Sequence, residues 1–148
     1  MKVFLKQVQG ITMTAKADSN HWVMMDGSDK FGGSKAASAP MEMMLMGLAG
    51  CTGMDVISIL DKMRVKLDQF VITVDADRAP EHPKVFTRIH LKYYFWGDDV
   101  PEDKVKRAIE LSQTKYCSAS VMMKKTADLT YSYHINEEVP EEEIAGKK

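Results

Sequence analysis

Apolar and polar residues alternate near both ends of the chain, and helical spacing takes over between them. Residues 3–9 and 11–17 read as two strands around Gly10. In the second, Ile11, Met13, Ala15 and Ala17 alternate with Thr12, Thr14 and Lys16, the period-two pattern of a half-covered strand. Residues 21–26 give a third short strand. Residues 26–38 (DGSDKFGGSKAAS) are punctuated by three glycines and three serines and predict a loop, long enough to suggest a functional role. Pro40 then opens a helix, where a missing N–H costs nothing, with Ser38 as a nearby cap. The helix runs to about residue 65, roughly 26 residues or ~39 Å. Its first half, PMEMMLMGLAGCTGM, is apolar nearly all round and so predicts burial on most sides. Gly47, Gly50 and Gly53 each weaken it by up to ~1 kcal/mol, which calls for close packing in return. Its second half is amphipathic and ends in Lys62, Arg64 and Lys66, cations that suit a helix C-terminus.

The remaining elements follow by the same logic. Residues 70–76 alternate as a strand, 79–83 turn, and 85–95 form an antiparallel partner with Arg88, His90 and Lys92 on its polar phase. Pro101 starts a second helix whose buried stripe is Val105, Ala108, Ile109, Ser112 and Tyr116. Cys117 stands near its end. Residues 118–125 suit a short further helix and 127–135 a last strand. The closing EEVPEEEIAGKK has five glutamates and little to bury, and reads as a frayed tail or a short capping segment. The order predicts an α+β domain over residues 1–137, largely antiparallel, followed by an acidic tail over 138–148. A helix wrapped by sheet also describes hot-dog thioesterases, which stand as the competing fold.

Composition narrows the function. With 148 residues, 20 basic and 21 acidic side chains and a net charge of -1, the chain is a single-domain length with no field that calls for nucleic acid or an anionic membrane. No signal-peptide core opens it, and the nearly apolar run 43–51 is about half of the ~20 residues of a membrane span, so a cytoplasmic location is expected. Two cysteines are too few for a disulfide scaffold or a four-thiolate zinc site. In a reducing compartment they are either inert core residues or a redox pair. Twelve methionines are an excess, and Met41, Met43, Met44 and Met46 lie within ten residues of Cys51. No Walker loop, GxGxxG, GxSxG, HExxH or CxxC motif occurs, and neither cofactor nor metal is expected. His90 and His134 fall on polar strand faces and His82 in a turn; His21, beside the glycine-rich loop, is the one histidine placed to matter.

The stretch P-x-E-x-x-L-x-x-L-x-x-C from Pro40 to Cys51, with Cys117 66 residues further on near the end of the later helix, resembles the cysteine pattern of the OsmC/Ohr family. The element order fits over residues 1 to 137, and C-T-G-M-D-V-x-S-I-L resembles the less characterised OsmC-like branch. The resemblance implies antiparallel sheets around a long buried central helix, an intertwined homodimer and active sites at its interface. It also implies a thiol peroxidase: Cys51 attacks an organic hydroperoxide, becomes a sulfenic acid and is resolved by Cys117, with an unidentified dithiol as reductant. That chemistry suits thiols, since the thiolate is the nucleophile and a sulfenic acid condenses with a neighbouring thiol. The methionines then either line an apolar approach for the substrate or simply fill the core.

Three departures from that pattern qualify it. The reductases pair an arginine with a glutamate at the helix start, but this chain has no arginine before Arg64, ~20 Å along the helix from Cys51. Lys16, Lys30 and Lys35 are the cations in the right region, and Lys35 is the supporting candidate. The glutamate is displaced: Met41 stands ten residues before the cysteine, while Glu42, nine before, falls about 180° from it. Asp55, at i+4 from Cys51, shares its face, where a carboxylate opposes a thiolate unless a cation is near. Asp55 either holds a cation or ligand, or pairs with a lysine or backbone amide across the dimer. Finally, Cys117-Ser118 replaces the family's frequent Cys-Pro. Missing arginine and displaced glutamate motivate a second reading, a non-catalytic binding protein for a small apolar or thiol-reactive ligand.

Overall fold

A computed structural model describes residues 1–145; the last three residues of the acidic tail lie outside the described residues. It divides into two compact units, residues 1–46 and residues 47 onward.

In the first unit, β1 (Val3–Gln9), β2 (Thr12–Ala17) and β3 (Val23–Met25) form an antiparallel sheet in that order. Gly10 supplies the left-handed corner of the first turn, with φ 55°. All of β1 is solvent-exposed, and within this unit only Ala15 and Asp26 are fully buried. The long loop after β3 is organised by Asp26. Its carboxylate accepts Gly27 N–H at 2.7 Å, Ser34 Oγ at 2.7 Å, Ser34 N–H at 3.1 Å and Ala36 N–H at 3.0 Å. Those bonds, led by the Ser34 hydroxyl, hold the carboxyl well below the usual carboxylate range. The loop closes so tightly that a Cβ on Gly33 would sit 2.0 Å from the Gly27 carbonyl oxygen, so only glycine fits there.

Helix α1 (Pro40–Lys62) starts where proline predicts. Glu42 accepts the Ala39 N–H at 2.8 Å, half of a capping box, while Ser38 gives its carbonyl to Asp26. The helix ends three residues short of the expected position because Arg64 turns left-handed, with φ 58°, and Val65 N–H folds back to the Leu60 carbonyl. Within this chain α1 buries one face, Leu48, Thr52, Gly53, Val56 and Leu60, and leaves Met44, Met46, Met54 and Ile57 exposed. A single sheet can cover only one side of a helix, so burial all round is not met by one copy of the chain. The whole helix, unlike the shorter run read from sequence, is long and apolar enough to cross a membrane, with a mean hydropathy of 1.7 over 18 residues. Its buried Thr52, hydrogen-bonded to side chains of other elements, instead marks a core helix.

In the second unit, β4 (Gln69–Arg78) pairs antiparallel with β5 (Phe86–Trp96), Phe70 opposite Phe95 and Ile72 opposite Tyr93. Gly53 brings α1 down onto this sheet: a Cβ there would lie 3.2 Å from Ile72 Cδ1 and 3.4 Å from Phe70 Cε1. Of the three helix glycines it alone meets such close packing, since Gly47 has nothing within 4 Å. Ile89, Leu91, Tyr93 and Phe95 of β5 are fully buried, as are Val56, Leu60, Val105 and Ile109, and each buried aliphatic or phenylalanine side chain contributes roughly 1.5–3 kcal/mol. β6 (Asp128–Ile135) corrects the antiparallel expectation for this sheet, pairing parallel to β5 with Tyr93 opposite Tyr133. The chain reaches it through α2 (Glu102–Leu111), a π-helical turn (Ser112–Tyr116) and α3 (Ser118–Met123), a crossover of the length that parallel strands require. The tail forms α4 (Glu141–Ile144), pinned through Glu143, which pairs with Lys92 and accepts Thr73 Oγ1 at 2.6 Å and Tyr94 OH at 3.0 Å.

Candidate functional site

The second unit brings Cys51 and Cys117 together. Cys51 is half-buried on α1, with Asp55 one turn further along the same face. The two sulfurs and a carboxylate oxygen of Asp55 all lie within 4.8 Å of one another. Both thiols are free.

The π-helical turn places Cys117. Its N–H bonds the Ser112 carbonyl five residues back, at 2.9 Å, and the backbone then becomes extended at ψ 98°. This wider turn rotates the helix end, so Tyr116, expected on the buried stripe, is 50% exposed, while Cys117 is fully buried. Cys117 caps α3, its sulfur accepting the Ser120 N–H at 3.3 Å. Serine in place of proline at 118 is therefore compatible with the capping position. Burial pushes the Cys117 thiol up, and contact with Cys51 acts the same way, outweighing the bonds from Ser120 that pull it down. Cys117 thus keeps its proton at neutral pH.

Beneath the thiols lies a buried polar chain that the sequence reading did not identify. Ser112 Oγ donates to Asp55 Oδ2 at 3.2 Å. With its one proton so used, Ser112 must accept from Thr52 Oγ1, 2.9 Å away. Thr52 in turn accepts the Tyr93 phenol at 2.7 Å. Gln113 Nε2 donates to both Tyr93 Oη, at 2.9 Å, and Thr52, at 3.1 Å. Every donor points toward Asp55, so the network orients the carboxylate beside the cysteines. Burial pushes the Tyr93 phenol up to about 12, which keeps it a donor. A threonine directly after Cys51 and a serine on an otherwise apolar stripe were the available signals, but neither gives a partner from sequence.

Beside Asp55 opens a cleft of about 340 Å³, walled by Ile59, Met63, Leu111 and Tyr116, with Lys62 also lining it. Among the described residues no ion pair reaches Asp55. The other two candidates belong to the first unit: Lys35 pairs with Asp29 at 3.1 Å, and Glu42 caps α1. His90 bonds Thr130 and Ser132, His134 stacks on Tyr94, and His21 is exposed between β2 and β3.

The chain resembles known proteins along most of its length. The family model for OsmC-like protein matches residues 32–132. Over 135 residues the chain is 38% identical to Protein YhfA of Escherichia coli (strain K12), covering 91% of this chain and 98% of that one. A hypothetical protein from Aquifex aeolicus VF5 superposes with a TM-score of 0.77 at 28% identity, over 92% and 97% of the two chains. An organic hydroperoxide resistance protein OsmC from Legionella pneumophila superposes with a TM-score of 0.64 at 13% identity, over 90% and 96%, a likeness of fold alone.

Proposed function

The chain belongs to the OsmC-like protein family, and from that premise we propose that it is a thiol-dependent peroxidase that reduces organic hydroperoxides. Membership displaces the hot-dog thioesterase alternative. The observation that carries the reading is the approach of the two free sulfurs to within 4.8 Å, one half-exposed and one buried. Cys51, the accessible thiol, attacks the outer peroxide oxygen; the O–O bond breaks, the sulfur becomes a sulfenic acid, and the alcohol leaves with the thiol proton. Cys117 then displaces hydroxide from that sulfur, forming a Cys51–Cys117 disulfide and water. Reduction by an external dithiol returns both thiols. The cleft beside Asp55, largely apolar with Lys62 among its lining residues, suits an organic rather than an inorganic peroxide. We propose that the protein works as a homodimer, a reading supported by the apolar side chains left exposed on β1 and α1, and we propose the cytoplasm as its compartment.

Reduced protein treated with one equivalent of cumene hydroperoxide should lose two hydrogens per chain, with peptide mapping showing Cys51 joined to Cys117. Cys51→Ser should leave Cys117 unmodified. Thiols that remain free after both cumene hydroperoxide and hydrogen peroxide would sink the reading.

A second reading is a binding protein that holds a small apolar or thiol-reactive ligand without turnover. It is favoured by Asp55, a carboxylate set beside the thiols where an activating cation would be needed. Thermal shifts with fatty acids or small thiols that persist in Cys51→Ala would support it.

A further inference from the structure

We infer that Cys51, Cys117 and Asp55 form a binding site for a thiophilic divalent cation of the zinc class. The three donor atoms come from two helical segments and already lie within 4.8 Å of one another. Two sulfurs on one tetrahedral zinc stand about 3.8 Å apart, from bonds of ~2.3 Å, so closure needs shifts of about 1 Å or less. Two thiolates select a soft d¹⁰ ion over magnesium or calcium, and the carboxylate completes a three-donor set that leaves the fourth position to a water or other external ligand. Asp55 is oriented for this by Ser112, the last member of the buried chain from Gln113 through Tyr93 and Thr52. That hydrogen bond to the carboxylate is the kind of outer support that fixes metal ligands. The site also accounts for a carboxylate beside two thiols with no ion-paired cation among the described residues: a bound divalent cation offsets two of the three negative charges of the carboxylate and the two thiolates. Binding breaks two S–H bonds, releases both protons to solvent and forms two metal–sulfur bonds with no change of oxidation state. A loaded site has no free thiol pair, so metal and peroxide compete for the same sulfurs.

The inference rests on the donor geometry and does not require the peroxidase reading. Reduced, metal-free protein is titrated with Cd²⁺ alone, without peroxide. One equivalent per chain should produce the sulfur-to-cadmium charge-transfer band of two thiolates. Asp55→Asn, which keeps both thiols and the shape of the side chain, should bind at least tenfold more weakly, while Cys51→Ser should lose half or more of the band. No band at one equivalent, or an affinity unchanged in Asp55→Asn, overturns the site. Disulfide formation by cumene hydroperoxide in the metal-free protein reports the redox reading separately, so either can fail without the other.

Discussion

Thr52 Oγ1 lies 2.7 Å from the Tyr93 phenol oxygen, and both side chains are fully buried. This bond ties the residue next to Cys51 to the central strand β5, and through Ser112 and Gln113 to the turn that delivers Cys117. The two cysteines are thus held by one shared polar hub rather than by packing alone.

Thr52→Val keeps the volume and removes the hub. Tyr93 loses its acceptor and Ser112 its donor, both fully buried. The expected cost is about 2–4 kcal/mol. A urea melt should show the midpoint fall, and the rate of Cys51–Cys117 disulfide formation should fall with it. A midpoint within error of the parent protein would show that the hub is not structural.

Asp26 gives a pH signature confined to the first unit. Its folded carboxyl is depressed by Ser34, Ala36 and Gly27. Its contribution is therefore complete above the unfolded value of about 3.9 and disappears as pH falls through the folded value. Asp26→Asn should lower Tm at pH 7, and the difference from the parent protein should shrink steadily below about pH 4. A difference constant from pH 7 to pH 2 would refute the assignment.

Glu143 docks α4 on β4 and β5 through Lys92, Thr73 and Tyr94. Glu143→Ala should free this segment, and limited proteolysis within residues 136–145 should become severalfold faster while peroxide reactivity stays unchanged. Equal cleavage rates would show that the segment is held by something else.

Local order was legible in the sequence because it is written in short-range terms. Pro40 and the apolar spacing placed α1, period-two alternation placed the strands, and Cys51 and Cys117 stood out by their helical settings. Asp55 could be put on the face of Cys51 by counting residues. Other features depended on contacts distant in sequence. Whether β6 runs parallel or antiparallel to β5 depends on the path of the crossover, which local alternation does not encode. The π-helical turn comes from an additional residue accommodated within a single turn, which helical periodicity smooths away, so Tyr116 was placed on the wrong side.

The sequence by itself determined the elements, the two thiols and the family pattern that joins them. Only the tertiary structure decided that sulfurs 66 residues apart come within 4.8 Å, and that Asp55 completes the cluster through a bond to Ser112. The physical reason is range. Helix and strand patterns follow from neighbours three or four residues away, whereas a site is set by the packing of α1 against β5 and by the exit angle of one irregular turn.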